Sequence, residues 1–271
     1  MDIESIKKLW VPARNNKDAG ISWWNGRAGH FSSLEPPTAE KNLGMRIILR
    51  ENMVQGGSRT LDVGCGGGRY SFAFEQMGAE AVATDFSPEM IRRAAEAGER
   101  SGSKVSFSVD DWHTLSLNEK GWHKSFDLVL ANMTPAIDSA DTFFKLADAS
   151  RNWVLMVKTT RRTDSVFDEL RQLAGPERCA GISDEALAYA FDLAWLTGGK
   201  PRLDYEDEVW ELDMPLEKAV EIYSLRIEAM CALSKDTKTV VRSHLEKLAD
   251  GSGNVHETTK TTLAAIYWQQ G

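Results

Sequence analysis

The fold of this chain is decided by residues 60–70, Thr-Leu-Asp-Val-Gly-Cys-Gly-Gly-Gly-Arg-Tyr. An apolar strand pattern is followed by a turn with glycine at four of the five positions 64–68. At these glycines the backbone can approach a ligand closely, whereas a Cβ atom would collide with it. A helix pattern follows, and the free N–H groups at its start would face the same ligand. A second strand pattern ends in Asp85, where a carboxylate can accept hydrogen bonds from a ribose diol. The sequence therefore predicts a nucleotide site at this turn.

Two residues beside the turn separate the cofactor classes that use such a unit. A dinucleotide site requires a small residue at the sixth position of its glycine pattern, and that position is Arg69. Asp62 stands two residues before the first glycine, where its charge would repel a pyrophosphate and attract an ammonium or sulfonium group. Both residues disfavour an NAD-dependent dehydrogenase and favour a cationic ligand.

Residues 61–68 strongly resemble motif I of the class I S-adenosylmethionine-dependent methyltransferases. The resemblance implies S-adenosyl-L-methionine as the cofactor and S-adenosyl-L-homocysteine as its product. It also implies an α/β fold, a Rossmann-like, doubly wound and mostly parallel seven-stranded sheet with the order 3-2-1-4-5-7-6 and an antiparallel last strand.

The remaining sequence fits this plan, because strand and helix patterns alternate from residue 42 onward, as is typical of a parallel sheet covered on both faces. Strands are predicted at 59–64, 80–85, 104–109, 126–131, 152–158, 202–213 and 255–268. Helices are predicted at 69–78, 87–100, 138–149, 164–173, 183–196 and about 236–249. The second helix has a complete start signal in Ser87-Pro88-Glu89.

The chain is predicted to have two parts, an aromatic-rich helical or lid segment at 1–41 and a class I methyltransferase domain at 42–271. A helical insertion is predicted at about 215–249, since an amphipathic apolar stripe runs from Leu216 to Met230 inside the closing hairpin. The insertion either packs on an edge of the sheet or caps the substrate pocket. A cap is favoured because ligands bind at the carboxyl ends of such strands.

The resemblance assigns cofactor contacts to residues at the ends of the first four strands, namely Asp62, Gly64, Cys65, Gly66, Gly68, Asp85, Phe86, Met90, Asp110, Asp111, Trp112 and Asn132. It implies that Asp62 holds the methionyl amino group and that Asp85 takes the ribose hydroxyls. Phe86 would pack on the adenine face. Asp111 would accept the exocyclic adenine N–H, with Asp110 as the alternative.

A group of aromatic and basic side chains precedes this domain, namely Trp23, Trp24, Arg27, His30 and Phe31. One interpretation is a lid that folds over the cofactor, excludes water and forms a wall of the acceptor pocket. The other is a helix that packs its tryptophans on the core without contacting a ligand. The sequence alone does not decide between these two interpretations.

Methyl transfer asks mainly that nucleophile, carbon and sulfur be held in line. A general base is needed only if the acceptor must lose a proton, and His30 and His113 are the candidates because histidine titrates near neutral pH. Asn132 follows the fourth strand, and the resemblance places it beside the transferred methyl, in contact with cofactor or acceptor.

Further basic residues follow the fifth strand, Lys158, Arg161 and Arg162. They either recognise an acceptor carboxylate or phosphate or belong to a solvated loop. Tyr223 and Arg226 of the insertion are additional candidates for the pocket, without an assigned role.

Composition and charge narrow the class of protein. A hydrophobic content of 42% suits a buried core, and the formal net charge of −8 disfavours nucleic-acid binding. No Cys/His cluster is present in the sequence, so no metal is predicted. The sequence lacks the apolar stretch of a signal peptide or a membrane span, which predicts a cytoplasmic protein without a membrane partner. The choice between monomer and homodimer stays open.

These observations predict an S-adenosylmethionine-dependent methyltransferase that transfers methyl to an O, N, S or C nucleophile of a small molecule by direct in-line displacement. One alternative is a non-catalytic S-adenosylmethionine-binding protein with a protein partner. An NAD-dependent dehydrogenase is the less favoured alternative.

Overall fold

The computed structural model describes residues 1–12, 16–175, 184–231 and 237–270. Its sheet consists of β1 (Arg59–Val63), β2 (Glu80–Asp85), β3 (Ser106–Val109), β4 (Phe126–Asn132), β5 (Ser150–Asp164), β6 (Arg202–Pro215) and β7 (Asn254–Gln269). The strand order is β3-β2-β1-β4-β5-β7-β6. Strands β1 to β5 pair in parallel, and β7 is antiparallel to both β5 and β6. The predicted fold class, strand order and antiparallel last strand are confirmed.

The helices alternate with the strands as predicted. They are α1 (Ile3–Leu9), α2 (Lys17–Ser32), α3 (Leu43–Arg50), α4 (Arg69–Gln76), α5 (Pro88–Ser101), α6 (Leu117–Lys120), α7 (Ala140–Ala149), α8 (Phe167–Ala174), α9 (Glu185–Leu196), α10 (Leu216–Met230) and α11 (Thr237–Leu248). The start signal of α5 is present, because the Ser87 side chain accepts a hydrogen bond from the Met90 N–H. The first residues of the helices predicted at 183–196 and 236–249 lie outside the described residues.

Both faces of the sheet are covered, as the alternation along β4 demonstrates. Leu128 and Leu130 belong to the buried cluster beneath α3 and α4. Val129 and Ala131 point the other way, into the cluster formed with α1, α7 and α9. Residues 128–131 of β4 are all apolar because neither face of the sheet meets water there.

Strands β5, β6 and β7 are much longer than the other four and continue far beyond the carboxyl end of β4. β4 ends at Asn132, which pairs with Val157, whereas β5 runs on to Asp164 with a break in register between Thr160 and Thr163. A separate buried cluster joins this extension to α8, α10 and α11. The helical pair α10 and α11 lies between β6 and β7, where the insertion at 215–249 is predicted.

The segment 1–41 contributes two helices with different surroundings. Ile6 of α1, together with Trp10 directly after it, is buried in the cluster with α7 and α9. In contrast, α2 packs against α5 on one side and α10 on the other. The boundary at residue 42 and a lid role for the whole segment stay predictions, and the geometry favours α2 as the part that could act as a lid.

Candidate functional site

The glycine turn lies at the carboxyl edge of the sheet, between β1 and α4. Gly64 has a φ of +69°, and its N–H donates to the Thr84 carbonyl over 2.8 Å. A Cβ at this position would lie 2.0 Å from Thr134 Oγ1, so only glycine fits. A Cβ at Gly66 would meet only Met90 Sδ, at 3.9 Å, and the space beside this residue is therefore open.

Asp85 closes the turn from the end of β2. Its Oδ2 accepts a 2.9 Å hydrogen bond from the Gly66 N–H, and its Oδ1 accepts one of 2.8 Å from the Ser87 N–H. Each carboxylate oxygen keeps lone-pair capacity for another donor. Burial raises the pKa of Asp85, and the two backbone bonds oppose this shift. The predicted residues Asp85, Gly66 and Met90 thus lie together beside an open space.

Asp62 is buried directly behind the glycine turn. It accepts a 2.8 Å hydrogen bond from Ser71 Oγ and has no basic side chain paired with it in the part of the chain that the structure describes. Burial raises its pKa to about 7, and the nearby charge of Asp85 adds to the shift. A carboxylate in this position can be stabilised by the cationic group of a ligand.

The remaining residues assigned around the turn are Cys65, Gly68 and Phe86. Burial raises the pKa of the Cys65 thiol well above its usual range, which disfavours the reactive thiolate, and a contact of Cys65 with the cofactor stays a prediction. Gly68 is the N-cap of α4 and has a φ of +79°. Phe86 is half-buried next to Asp85, and its contact with adenine stays a prediction.

The two aspartates after β3 have different surroundings. The Asp110 carboxylate accepts hydrogen bonds from Ser108 and Thr84 and pairs with Lys120 at 2.7 Å. The Asp111 carboxylate instead pairs with Lys17 of α2 at 2.6 Å. Asp111 therefore faces α2, whereas Asp110 is held within the strand ends. This contrast favours Asp111 as the adenine contact, which stays a prediction.

The Trp112 side chain lies in the core, where its indole N–H donates to the Thr142 carbonyl over 3.1 Å. The ring is thus engaged in packing beneath β4 and α7. A contact of Trp112 with the cofactor stays a prediction, and we expect the backbone N–H of this residue to make it.

The end of β4 combines a polar group with a strained backbone. Asn132 Oδ1 lies 3.4 Å from the Tyr70 hydroxyl, which also donates to Asn42. The next residue, Met133, has a φ of +49°, although it carries a full side chain. Strain of this kind persists where surrounding structure enforces it, and it is common at functional sites. Sequence analysis missed Tyr70, because an aromatic residue in a helix pattern gives no polar signal.

The helix α2 lies across the carboxyl ends of the first three strands. At its start Lys17 pairs with Asp111, and in its middle the Asn25 side chain accepts a 2.6 Å hydrogen bond from Ser87 Oγ. At its end the Phe31 carbonyl lies so near Gly67 that a Cβ there would be 2.7 Å from the oxygen. Lys17 and Asn25 were missed because they carry no motif and because these contacts join residues far apart in sequence.

The predicted lid residues form a packed aromatic group on α2. The rings of Trp23 and Trp24 are 4.5 Å apart, and Trp24 lies 5.8 Å from Phe31. The Arg27 guanidinium stacks near the rings of Trp23 and Phe31 at 5.7 and 5.4 Å. His30 is exposed beside Phe31. The five residues are brought together, and their role as a lid stays a prediction.

The pKa values of the two candidate bases are shifted in opposite directions. His113 lies between Asp138 and Asp111, at 2.8 and 3.1 Å, and the Asp138 carboxylate above all raises its pKa. Partial burial and the neighbouring Arg27 instead lower the pKa of His30. A general base must be neutral, so this geometry favours His30 over His113.

The basic residues that were predicted to follow the fifth strand lie within β5, because this strand continues to Asp164, and they do not form one cluster. The Lys158 amine donates to the Ile137 carbonyl over 2.5 Å, and burial lowers its pKa to about 8. The Arg161 backbone N–H donates to the Asp184 carboxylate. Arg162 pairs with the buried Asp164 at 2.8 Å. Of these residues, only Arg162 lies among buried charged groups.

Two further properties concern the described residues alone. No group of three or more His, Cys, Asp or Glu side chains among them is arranged to hold a metal ion. None of the helices in these ranges combines the length and apolar character that crossing a membrane requires.

Comparison with known proteins identifies the family. Residues 55–194, just over half of the chain, match a family model described as "Methyltransferase domain". The chain belongs to this methyltransferase family. Membership confirms the predicted class, a class I S-adenosylmethionine-dependent methyltransferase, and with it the cofactor, S-adenosyl-L-methionine.

Curated relatives of this methyltransferase domain match over part of their length. The chain is 38% identical over 109 residues to "Ubiquinone biosynthesis O-methyltransferase" of Xanthomonas axonopodis pv. citri, which is 40% of this chain and 41% of that protein. The protein of the same description from Xanthomonas oryzae pv. oryzae is 38% identical over 73 residues, 27% of this chain and 29% of the relative. The matches thus span less than half the length of these relatives.

Among solved structures, YcgJ protein from Bacillus subtilis is similar with a TM-score of 0.52 and 17% sequence identity. The similarity covers 83% of this chain and 98% of that chain. At this identity the comparison supports the methyltransferase fold alone.

Proposed function

We propose that this protein transfers a methyl group from S-adenosyl-L-methionine to a nucleophilic atom of a small molecule. The observation that carries the proposal is Asp62, a buried carboxylate without a basic partner among the described residues, directly behind the glycine turn and Asp85. A ligand with an ammonium group and a ribose matches both carboxylates. The open space beside Gly66 gives such a ligand room next to them.

The chain's own residues would bind and orient the reactants. S-adenosyl-L-methionine supplies a methyl group that its sulfonium already activates, so positioning accounts for much of the rate, by as much as about 7–11 kcal/mol in favourable cases. Asp62 and Asp85 would hold the cofactor, with Asp111 at the adenine end. The helix α2 would exclude water from the acceptor.

We propose an oxygen nucleophile ahead of nitrogen, sulfur or carbon. The matched curated relatives are described as O-methyltransferases. An alcohol or phenol loses its proton during transfer, and His30 is proposed as the base because its lowered pKa keeps the imidazole neutral. Asn132 is proposed as an acceptor contact at the end of β4.

The two alternatives have less support. A dinucleotide would bring a pyrophosphate against buried Asp62, and Arg69 occupies the position that requires a small residue. A binding protein without turnover would share the cofactor residues and would differ only in the acceptor side of the site.

Calorimetry with S-adenosyl-L-methionine, S-adenosyl-L-homocysteine and NAD tests the proposal. Binding of the first two without NAD is expected. Absence of binding at millimolar S-adenosyl-L-methionine would contradict it. Release of S-adenosyl-L-homocysteine is then followed while phenols, amines and thiols are supplied, and binding without release for any of them would favour the non-catalytic alternative.

The partners and the location stay predictions. A small-molecule acceptor without nucleic acid, a monomer or a homodimer, and a cytoplasmic site of action are proposed. Light scattering of the purified protein and fractionation of the native cells test the oligomeric state and the location.

A further inference from the structure

A cluster of charged and polar side chains is buried where α2 and α10 meet the extension of β5 and β7. We call it the arginine cluster and define it as Arg27, Arg162, Asp164, Tyr223, Arg226 and Glu257. Its members come from four separate elements, and none of the cofactor residues belongs to it. The arginine cluster is therefore distinct from the glycine turn.

One half of the arginine cluster is fully paired. The Asp164 carboxylate accepts from Arg162 at 2.8 Å, from Arg226 at 3.0 Å and from Thr259 Oγ1 at 2.6 Å. Its backbone N–H donates to Asp168 over 2.9 Å. These bonds join α10 to β5 and β7, and they account for the structural role of this half.

The other half is buried and carries polar atoms that have no hydrogen-bond partner among the described residues. Tyr223, Arg226 and Glu257 are 1%, 7% and 6% exposed. Among the described residues the Tyr223 hydroxyl, Arg226 Nε and Glu257 Oε1 nevertheless have no hydrogen-bond partner, and the ion pair of Arg226 Nη1 with Glu257 Oε1 is long, at 3.9 Å. Buried polar atoms are normally satisfied by protein or ligand, because leaving one unpaired costs about 1–3 kcal/mol.

Arg27 faces the same unpaired atoms from α2. Its Nε is buried without a hydrogen bond, and no carboxylate of the described residues pairs with its guanidinium. Burial and the like charge of Arg226 both lower its pKa. The two guanidinium groups therefore repel each other, and a ligand anion held by both would stabilise them.

The charge of the cluster indicates which anion fits. Three arginines oppose Asp164 and Glu257, which leaves one positive charge. A single negative charge neutralises it, whereas a phosphate monoester would bring nearly two. Planar guanidinium groups also match the two oxygens of a carboxylate.

The surroundings of the arginine cluster are aromatic and close to the glycine turn. Arg226 stacks on Phe167 at 3.5 Å and lies 5.8 Å from the Trp23 ring, whose indole N–H is also buried without a partner. Arg27 precedes Phe31 by about one helical turn, a rise of about 6 Å, and the Phe31 carbonyl contacts Gly67. The helix α2 therefore connects the arginine cluster with the glycine turn.

We propose that the arginine cluster binds the carboxylate of the methyl acceptor between Arg27 and Arg226, so that the acceptor is a small aromatic acid. This inference rests on the proposed function and specifies its substrate class. The carboxylate acts as an anchor and is not itself methylated, because two guanidinium groups would withdraw its lone pairs from attack. The nucleophile is a second group of the acid, directed toward the methyl.

Calorimetry on the full chain saturated with S-adenosyl-L-homocysteine tests the proposal, with benzoate as the probe and benzamide as its neutral isostere. Benzoate is expected to bind, and benzamide at least about tenfold more weakly. Arg27→Met is expected to weaken benzoate by at least about tenfold while Arg27→Lys recovers part of the loss. Arg242→Met, which removes an exposed guanidinium from α11, is the matched control and should leave benzoate binding unchanged.

Three results would overturn the proposal: no benzoate binding, equal binding of benzoate and benzamide, or equal benzoate affinity of wild type and Arg27→Met. Tighter binding of phenyl phosphate than of benzoate would also overturn it, since a dianion would then be the better match. Failure of S-adenosyl-L-homocysteine itself to bind would instead overturn the proposed function. Arg27 forms no ion pair with the residues that the structure describes, so Arg27→Met is expected to fold, and circular dichroism checks this.

Discussion

Asp62 carries a charge that the folded protein, without its ligand, does not stabilise. Its carboxyl group is buried with Ser71 as hydrogen-bond donor, and burial moves its pKa from 3.8 to about 7. The folded state therefore binds more protons than the unfolded state between these values, and the free energy of unfolding falls as pH rises from about 4 to about 7. The cofactor's ammonium group is the expected compensation.

The first prediction concerns stability. Asp62→Asn keeps an acceptor for Ser71 and removes the buried charge, so it should raise the free energy of unfolding at pH 8 by up to about 4 kcal/mol and change it little at pH 4. Urea unfolding at both pH values measures this. The exposed Asp148→Asn is the control, and an equal gain for both variants at pH 8 would contradict the explanation.

The second prediction concerns affinity. Only ionised Asp62 attracts an ammonium group, so S-adenosyl-L-homocysteine should bind more tightly as pH rises from 6 to 8. Asp62→Asn should bind it at least about tenfold more weakly and lose most of the pH dependence. Calorimetry at three pH values tests this, and a variant with an unchanged pH profile would assign the dependence to another group.

The third prediction concerns Arg27. The Arg27 guanidinium is half-buried beside Arg226 and has no carboxylate partner in the described part of the chain, so it should destabilise the free protein. Arg27→Met should therefore leave the melting temperature unchanged or raise it. A residue that serves only packing or an ion pair would instead lower it when replaced. Thermal unfolding without ligand separates these outcomes, with Arg242→Met again as the control.

At the scale of an element, α2 depends on close backbone contact with the glycine turn. Gly67 has ordinary φ, but a Cβ there would lie 2.7 Å from the Phe31 carbonyl oxygen and 2.9 Å from the Ser32 Cα. Because these are backbone atoms, the end of α2 must shift to accept a methyl group. Gly26, on the same helix, has nothing within 4 Å of the equivalent position.

The fourth prediction uses this contrast. Gly67→Ala should speed proteolysis within α2 and weaken S-adenosyl-L-homocysteine binding, whereas Gly26→Ala should stabilise α2 by about 0.5–1 kcal/mol and slow its cleavage. Limited proteolysis with and without S-adenosyl-L-homocysteine measures both effects. If Gly67→Ala were cleaved like wild type, α2 would not depend on this contact.

The contacts of α2 could not be predicted from the sequence, in contrast to the residues of the glycine turn. The glycine turn, Asp62 and Asp85 could be predicted because their chemistry lies within a short local pattern. Lys17 and Asn25 could not, since each meets its partner only after distant strands are brought to one edge of the sheet. The sequence predicts that Trp112 contacts the cofactor, but its ring packs in the core, where the indole N–H donates to the Thr142 carbonyl. This contact also joins residues that are far apart in sequence.

At the scale of the whole molecule, the strand order is what the resemblance to class I methyltransferases implies, whereas the length of the last strands could not be predicted from the sequence. The sequence predicts that the fifth strand ends at residue 158, but β5 continues to Asp164. The polar sequence Lys158 to Asp164 resembles a loop, although Arg162 pairs with Asp164 and Asp164 pairs with Arg226 of the insertion. The extension is what brings α8 and α10 to the carboxyl edge.

Asp164 links this extension to the insertion, and it carries the fifth prediction. Burial would raise its pKa, but Arg162 and Arg226 outweigh that effect and lower it to about 2. The link therefore contributes stability at pH values above about 4, and this contribution is lost as pH falls toward 2. Asp164→Asn leaves Arg226 buried without its carboxylate and should lower the free energy of unfolding at pH 7 by about 3 kcal/mol or more.

The double variant Asp164→Asn/Arg226→Met removes both charges and should recover part of the loss, whereas Glu217→Gln, which breaks the exposed pair with Arg242, should leave the unfolding midpoint unchanged. Hydrogen exchange then locates the effect. In Asp164→Asn the amides of α10 and α11 should lose protection before those of β1 and β4, because the insertion is joined to the sheet through this carboxylate. Uniform loss of protection over the chain would mean that insertion and sheet unfold as one unit whatever joins them.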